Sequence, residues 1–99
     1  MRIVQLTSAQ DDLAEGYAFY EEREPGIGSY FLESLFSDLD SLHLYAGIHL
    51  KVFGFYRLLS KRFPYAIYYT VESETVFVWA VLDCRQDPDK IRERLKAVS

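Results

Sequence analysis

The sequence predicts an α+β fold, a helical hairpin packed on a small, mainly antiparallel sheet and closed by a C-terminal helix. Three observations carry this. Apolar residues recur at helical spacing between Ala9 and Leu42. β-Branched and aromatic residues run almost unbroken from Tyr65 to Val71, and a second such run follows Glu72-Ser73-Glu74. Asp87-Pro88 then opens a last amphipathic segment with an N-cap residue and a proline at the first helical position. The resulting order is β-α-α-β-β-β-α, helices first and most of the strands after them.

Each element has its own signal. Arg2 to Leu6 alternates as a short first strand and stops at Thr7-Ser8. Ser8 is positioned to cap a helix from Ala9 to Arg23, with Asp11 and Asp12 in its first turn and Ala9, Leu13, Tyr17 and Tyr20 on one face. Glu21, Glu22 and Glu24 crowd its end and read as a solvated face or a site for a basic partner. Pro25-Gly26-Ile27-Gly28 breaks the helix. A second helix follows from Gly28 or Ser29 to Leu44 or Tyr45, with Phe31, Leu32, Leu35, Phe36, Leu39 and Leu42 in a stripe broader than one contact requires. That stripe is core, and its excess suits a partner helix.

Ala46 to Gly54 has no pattern and reads as a loop. Strands follow at Phe55–Arg62, Tyr65–Val71 and Thr75–Asp83, with Pro64 confined to the start of the middle one because it has no amide to donate. Alternation puts Val76, Val78, Ala80 and Leu82 on one face of the last strand. Phe77, Trp79, Val81 and Asp83 fall on the other, with Arg85 continuing that parity. Both faces are apolar, so the hairpin covers one, and the terminal helix, a second copy or a ligand covers the other. The closing helix, Pro88 to Ala97, turns Ile91, Leu95 and Val98 inward, and Lys90, Arg92, Arg94 and Lys96 partly outward.

At 99 residues, 49% hydrophobic and 16% aromatic, the chain has the material for one domain over residues 1–99 with a single core. One cysteine, Cys84, allows no internal disulfide, and no apolar run approaches a membrane span; both fit a soluble cytoplasmic protein. The net charge of −4 is unevenly spread: residues 1–50 hold two basic residues against nine acidic, residues 51–99 nine basic against six acidic. Lys51, Arg57, Lys61 and Arg62 lie in a stretch with no acid, either a surface for phosphates or an acidic partner, or a balance to the helical half. No cofactor loop, Ser-His-Asp pattern or paired-carboxylate spacing stands out, and His43 and His49 lack the neighbours of a metal site.

Taken together, several of these features resemble the RelE/ParE superfamily of bacterial toxins. They are Ala9-x-x-Asp12-Leu13, the glycine-containing break, Arg57, Phe63-Pro64-Tyr65-x-Ile67-Tyr68-Tyr69, and Val78-x-Ala80-Val81-Leu82 before Arg85-Gln86-Asp87-Pro88. The resemblance implies the toxin of a type II toxin–antitoxin (plasmid stabilisation) system, with a cognate antitoxin that folds on binding through edge-strand pairing or helix-in-groove docking. It implies Arg57 and Arg85 as candidate catalytic cations, with Lys61 a further candidate, and Lys51, Lys61, Arg62 and Arg85 as candidates for binding substrate or partner. RelE-like relatives cleave messenger RNA on the ribosome; ParE-like relatives poison DNA gyrase by binding. RNA cleavage requires a proton acceptor, a donor and a stabilised phosphorane. Many relatives carry a histidine where this chain has Asp83, an arginine at Gln86 and an aromatic near Ile91. The reading therefore leans to a ParE-like gyrase inhibitor, with an RNA-cleaving toxin, or a member that only binds its antitoxin, as alternatives. A homodimer is a further alternative for the free protein.

Overall fold

A computed structural model describes residues 1–99. The chain runs through β1 (Arg2–Gln5), α1 (Thr7–Arg23), α2 (Ile27–Asp40), α3 (Leu42–Tyr45), β2 (Lys51–Val52), β3 (Phe55–Leu59), β4 (Tyr65–Glu72), β5 (Thr75–Asp83) and α4 (Pro88–Val98). The five strands form one sheet in the order β1-β5-β4-β3-β2. Three neighbouring pairs are antiparallel, and β1 lies parallel to β5. The α+β class and the helical hairpin stand as expected. No helix is long and apolar enough to cross a membrane.

The hairpin of α1 and α2 covers one face of the sheet. Phe31, Leu35, Leu39 and Leu42 of the helical layer pack on Tyr65, Ile67, Tyr69, Val76, Val78 and Val81. Side chains such as Phe31 and Leu35 are fully buried, each stabilising by about 1.5–3 kcal/mol relative to exposure. Tyr20, Phe31, Phe63 and Tyr65 close one end with rings at 4.9–6.2 Å. The opposite face holds a smaller cluster, Phe55, Ala66, Tyr68, Ala80 and Leu82, covered by Ile91 and Leu95 of α4.

Several boundaries differ from the sequence expectation. α1 begins at Thr7 with Leu6 as an N-cap that makes no side-chain bond. Ser8 does not cap; its hydroxyl donates to the Trp79 carbonyl at 2.6 Å. Neither Asp11 nor Asp12 falls in the first turn. The second helix is interrupted at Ser41, whose hydroxyl donates to the Asp38 carbonyl at 2.6 Å and competes with the backbone ladder. β3 ends at Leu59 rather than Arg62, because Ser60–Pro64 turns and Phe63 is drawn into the aromatic cluster. The expected loop contains β2, paired to β3 through the two-residue turn Phe53-Gly54.

β5 departs furthest from regular alternation. Tyr68 pairs with Ala80 and Tyr69 with Val78, leaving Trp79 as an extra residue opposite them. This bulge reverses the side-chain parity of the strand. Val76 and Val78 face the hairpin together with Val81, whereas Ala80 and Leu82 face α4. Simple alternation places Ala80 and Leu82 with Val76 and Val78 instead.

Glu21 also departs from a merely solvated role. Its carboxylate accepts from the Gly26 and Gly28 amides at 3.0–3.1 Å, so negative charge from the end of α1 satisfies the start of α2. Gly26 itself has φ 95° at that N-cap, a conformation glycine adopts without strain.

Candidate functional site

Where β1 stops, α1 takes over the edge of β5 with side chains. The Leu6 amide donates to Val78 O at 3.0 Å, Ser8 Oγ to Trp79 O, and the Val81 amide donates to Asp12 Oδ2 at 2.9 Å. Asp12 is buried, and Arg94 of α4 reaches it with Nη1 at 3.0 Å and Nη2 at 2.9 Å. Arg94 also donates to Ser8 O at 3.3 Å. Burial pushes the Asp12 carboxyl above its ordinary value, against the pull of the Val81 amide and the Arg94 guanidinium. Arg94, expected to point partly outward, thus ties the C-terminal helix to the sheet edge. Its place among other charged residues of α4 gives no sign of that.

The reversed parity of β5 decides where the candidate arginines point. Arg57 pairs with Tyr68 across β3 and β4, and Tyr68 belongs to the α4 layer. Cross-strand partners share a face, so Arg57 also faces α4. There it lines a cavity of about 210 Å³ with Phe53, Tyr68, Cys84, Gln86 and Ile91 among its walls. Asp83 pairs with Tyr65, which belongs to the hairpin layer. Arg85 is locked on Asp83, with Nε to Oδ1 at 3.0 Å and Nη2 to Oδ2 at 2.7 Å. This fork holds the Asp83 carboxyl below its ordinary value and raises that of Arg85. Arg57 and Arg85 therefore sit on opposite faces of the sheet and do not form one site.

The remaining basic candidates disperse as well. Lys51 Nζ lies 4.9 Å from the centre of the Tyr56 ring, which itself stacks on Tyr69 of the hairpin layer. Lys61 and Arg62 are exposed in the turn between β3 and β4. None of Lys51, Arg57, Lys61 and Arg62 makes an ion pair.

The cavity at Arg57 supplies fixed positive charge and hydrogen bonds. Burial pushes the Tyr68 hydroxyl up, with the nearby Cys84 adding to the effect and Arg57 opposing it. Desolvation likewise pushes the Cys84 thiol up against the pull of Arg57. Gln86 does not titrate. Neither tyrosine nor thiol is poised to exchange a proton near neutral pH. The two histidines lie elsewhere: His43 Nδ1 is 2.9 Å from the Met1 carbonyl oxygen, and His49 Nδ1 contacts the Tyr69 hydroxyl. No group of three or more His, Cys, Asp or Glu side chains could hold a metal ion.

Between the two helices and beside the end of β1, Leu13, Ala14 and Tyr17 of α1 and Leu32 and Phe36 of α2 line an apolar groove of about 360 Å³. Gln5 and Gln10 are its polar margin. Phe36 is 46% exposed there, which is where the excess width of the α2 stripe goes.

The architecture is a helical hairpin on a mixed five-stranded sheet, with a C-terminal helix across the other face. Over residues 3–88 the sequence matches the family described as "ParE toxin of type II toxin-antitoxin system, parDE", and the chain belongs to that family. Among solved structures it is similar to a chain of the "Chromosomal ParDE TA system from P. aeruginosa", with a TM-score of 0.73 and 17% identity. That alignment covers 82% of this chain and 92% of the other, and it shows a shared fold. No curated protein matches the sequence.

Proposed function

We propose that this chain arrests bacterial growth in the cytoplasm by binding DNA gyrase, and that a cognate antitoxin restrains it by laying an amphipathic helix in the groove between α1 and α2. Membership of the ParE toxin family supports the toxin reading, and the apolar walls of the groove, with Phe36 exposed, suit a helix docked through its apolar face. The observation that carries binding over RNA cleavage is the separation of the two arginines. Arg85 is neutralised by Asp83 on the hairpin side, and Arg57 stands on the other side without a proton donor or acceptor tuned to neutral pH. Cleavage of an RNA phosphodiester draws on both functions at one phosphate.

Purified protein is added to gyrase and relaxed plasmid, and in parallel to translating ribosomes carrying a defined message. The reading expects supercoiling to fail while the message stays whole. Discrete cuts in the message with supercoiling unaffected would replace it with ribosome-dependent cleavage.

A further inference from the structure

Phe53 occupies a backbone position that a bulky side chain rarely adopts. The turn Val52-Phe53-Gly54-Phe55 joins β2 to β3 with two residues, and φ is 54° at Phe53 and 87° at Gly54. Positive φ at both central positions is the type I′ pattern, in which asparagine, aspartate or glycine normally takes the first place. An aromatic residue there is strained. The strain does not serve core packing, because Phe53 remains 47% exposed.

The ring stands between two cavities on the α4 face. One, of about 210 Å³, holds Arg57; the other, of about 220 Å³, is bordered by Arg92 and Lys96. The Arg92 guanidinium carbon is 5.8 Å from the ring centre. Arg57 and Lys96 have no carboxylate partner, and Arg92 is paired with Asp89 at 2.7 Å. A half-exposed aromatic set among cations, on a tight turn, has the make-up of an interface anchor.

We infer that Phe53 and the cations around it are the surface through which this toxin grips its target, and that the partner is an acidic patch on a protein. The inference rests on the toxin reading above and adds the face and chemistry of the contact. It leaves the α1–α2 groove, on the other side of the sheet, free for the antitoxin. A protein patch is favoured over nucleic acid by the charge distribution. Residues 1–50 carry two basic residues against nine acidic, so a long polyanion leaving the small cationic face would meet a repulsive one.

Wild type, Phe53→Asn, Phe53→Tyr and Lys96→Glu are induced from a tightly controlled promoter, and each purified protein is melted. Asparagine suits the turn, so Phe53→Asn should hold Tm or raise it by up to roughly 4–8 °C while abolishing growth arrest. Phe53→Tyr should retain arrest, and Lys96→Glu should weaken it at unchanged Tm. Arrest by Phe53→Asn equal to wild type would overturn the inference and leave the toxin reading intact. Absence of arrest by soluble wild type would overturn the toxin reading, and this surface with it. A single-stranded oligonucleotide shifted by wild type and released by Phe53→Asn would overturn the protein partner in favour of nucleic acid. If Phe53→Asn melts below wild type, Lys96→Glu decides: full arrest by that variant overturns the inference.

Discussion

Replacing Arg94 with leucine tests whether one ion pair ties the C-terminal helix to the sheet edge. Asp12 is 7% exposed and receives the Val81 amide at 2.9 Å and the Arg94 guanidinium on both oxygens at 2.9–3.0 Å. In Arg94→Leu the carboxylate keeps the Val81 bond and loses its cation. Breaking a buried pair from one side costs about 3–5 kcal/mol. The surviving amide bond, and an Arg94 side chain that was 31% exposed, reduce this to about 2–3 kcal/mol near neutral pH. In a chain of this length the loss corresponds to a Tm lower by roughly 8–24 °C.

The pH dependence fixes the sign. The Asp12 carboxyl is already raised in the folded state, chiefly by burial. A carboxyl whose folded pKa exceeds its unfolded one binds its proton more tightly when folded, so stability is lost as pH rises through the folded value. Removing Arg94 raises the folded value further. The deficit of Arg94→Leu is therefore largest near neutral pH and shrinks as pH falls to about 4. Asp12→Asn keeps an acceptor for Val81 and removes the charge, so it loses about 1 kcal/mol with little pH dependence. Urea denaturation of the three proteins across this range reads both effects. A variant Arg94→Leu within about 0.5 kcal/mol of wild type at neutral pH, or equally impaired at both ends of the range, would refute the reasoning.

Three further outcomes follow from single contacts. A Cβ at Gly16 would lie 2.5 Å from Phe31 Cζ, within a fully buried ring; overpacking of about 1–3 kcal/mol against a helix gain of up to about 1 kcal/mol leaves Gly16→Ala less stable in denaturant titrations. Burial lowers the His49 pKa from its ordinary 6.5, so the unfolded chain binds the proton first, and stability, complete above that value, declines as pH falls through the folded pKa. His49→Gln should flatten that slope in melts taken across the same interval. Arg85→Ala should return the Asp83 carboxyl upward toward its ordinary range in an NMR titration, since the Arg85 fork is the main cause of its depression. An unmoved Asp83 would mean that the fork is broken in solution.

What the sequence made legible was set by regular periodicity. The hairpin stripe and the Tyr65–Val71 strand repeat long enough to be read, and Asp87-Pro88 marks the start of α4 through a cap that the structure forms, with Asp87 Oδ1 accepting the Asp89 amide at 2.9 Å. β2 was not legible because it is two residues long and its turn carries Phe53 where Asn or Asp would have signalled a hairpin. By sequence Asp12 reads as a residue for the helix dipole and Arg94 as a charge turned partly outward. Only the tertiary fold, bringing residues 82 positions apart within hydrogen-bond distance, makes them a pair.

The bulge at Trp79 was equally hidden, since no glycine or proline interrupts Thr75–Asp83. Without that extra residue, Asp83 would share the α4 face with Arg57, and Arg85 held on Asp83 would bring a second guanidinium toward the same cavity. With it, Asp83 follows Tyr65 to the hairpin side and carries Arg85 along. The shift in register also places Val81 with the hairpin layer, where its amide meets Asp12 beyond the end of β1. One inserted residue thus separates the two arginines that a joint catalytic site would need. It also leaves Arg57 on the α4 face, in a cavity that Phe53 borders and without Arg85 beside it.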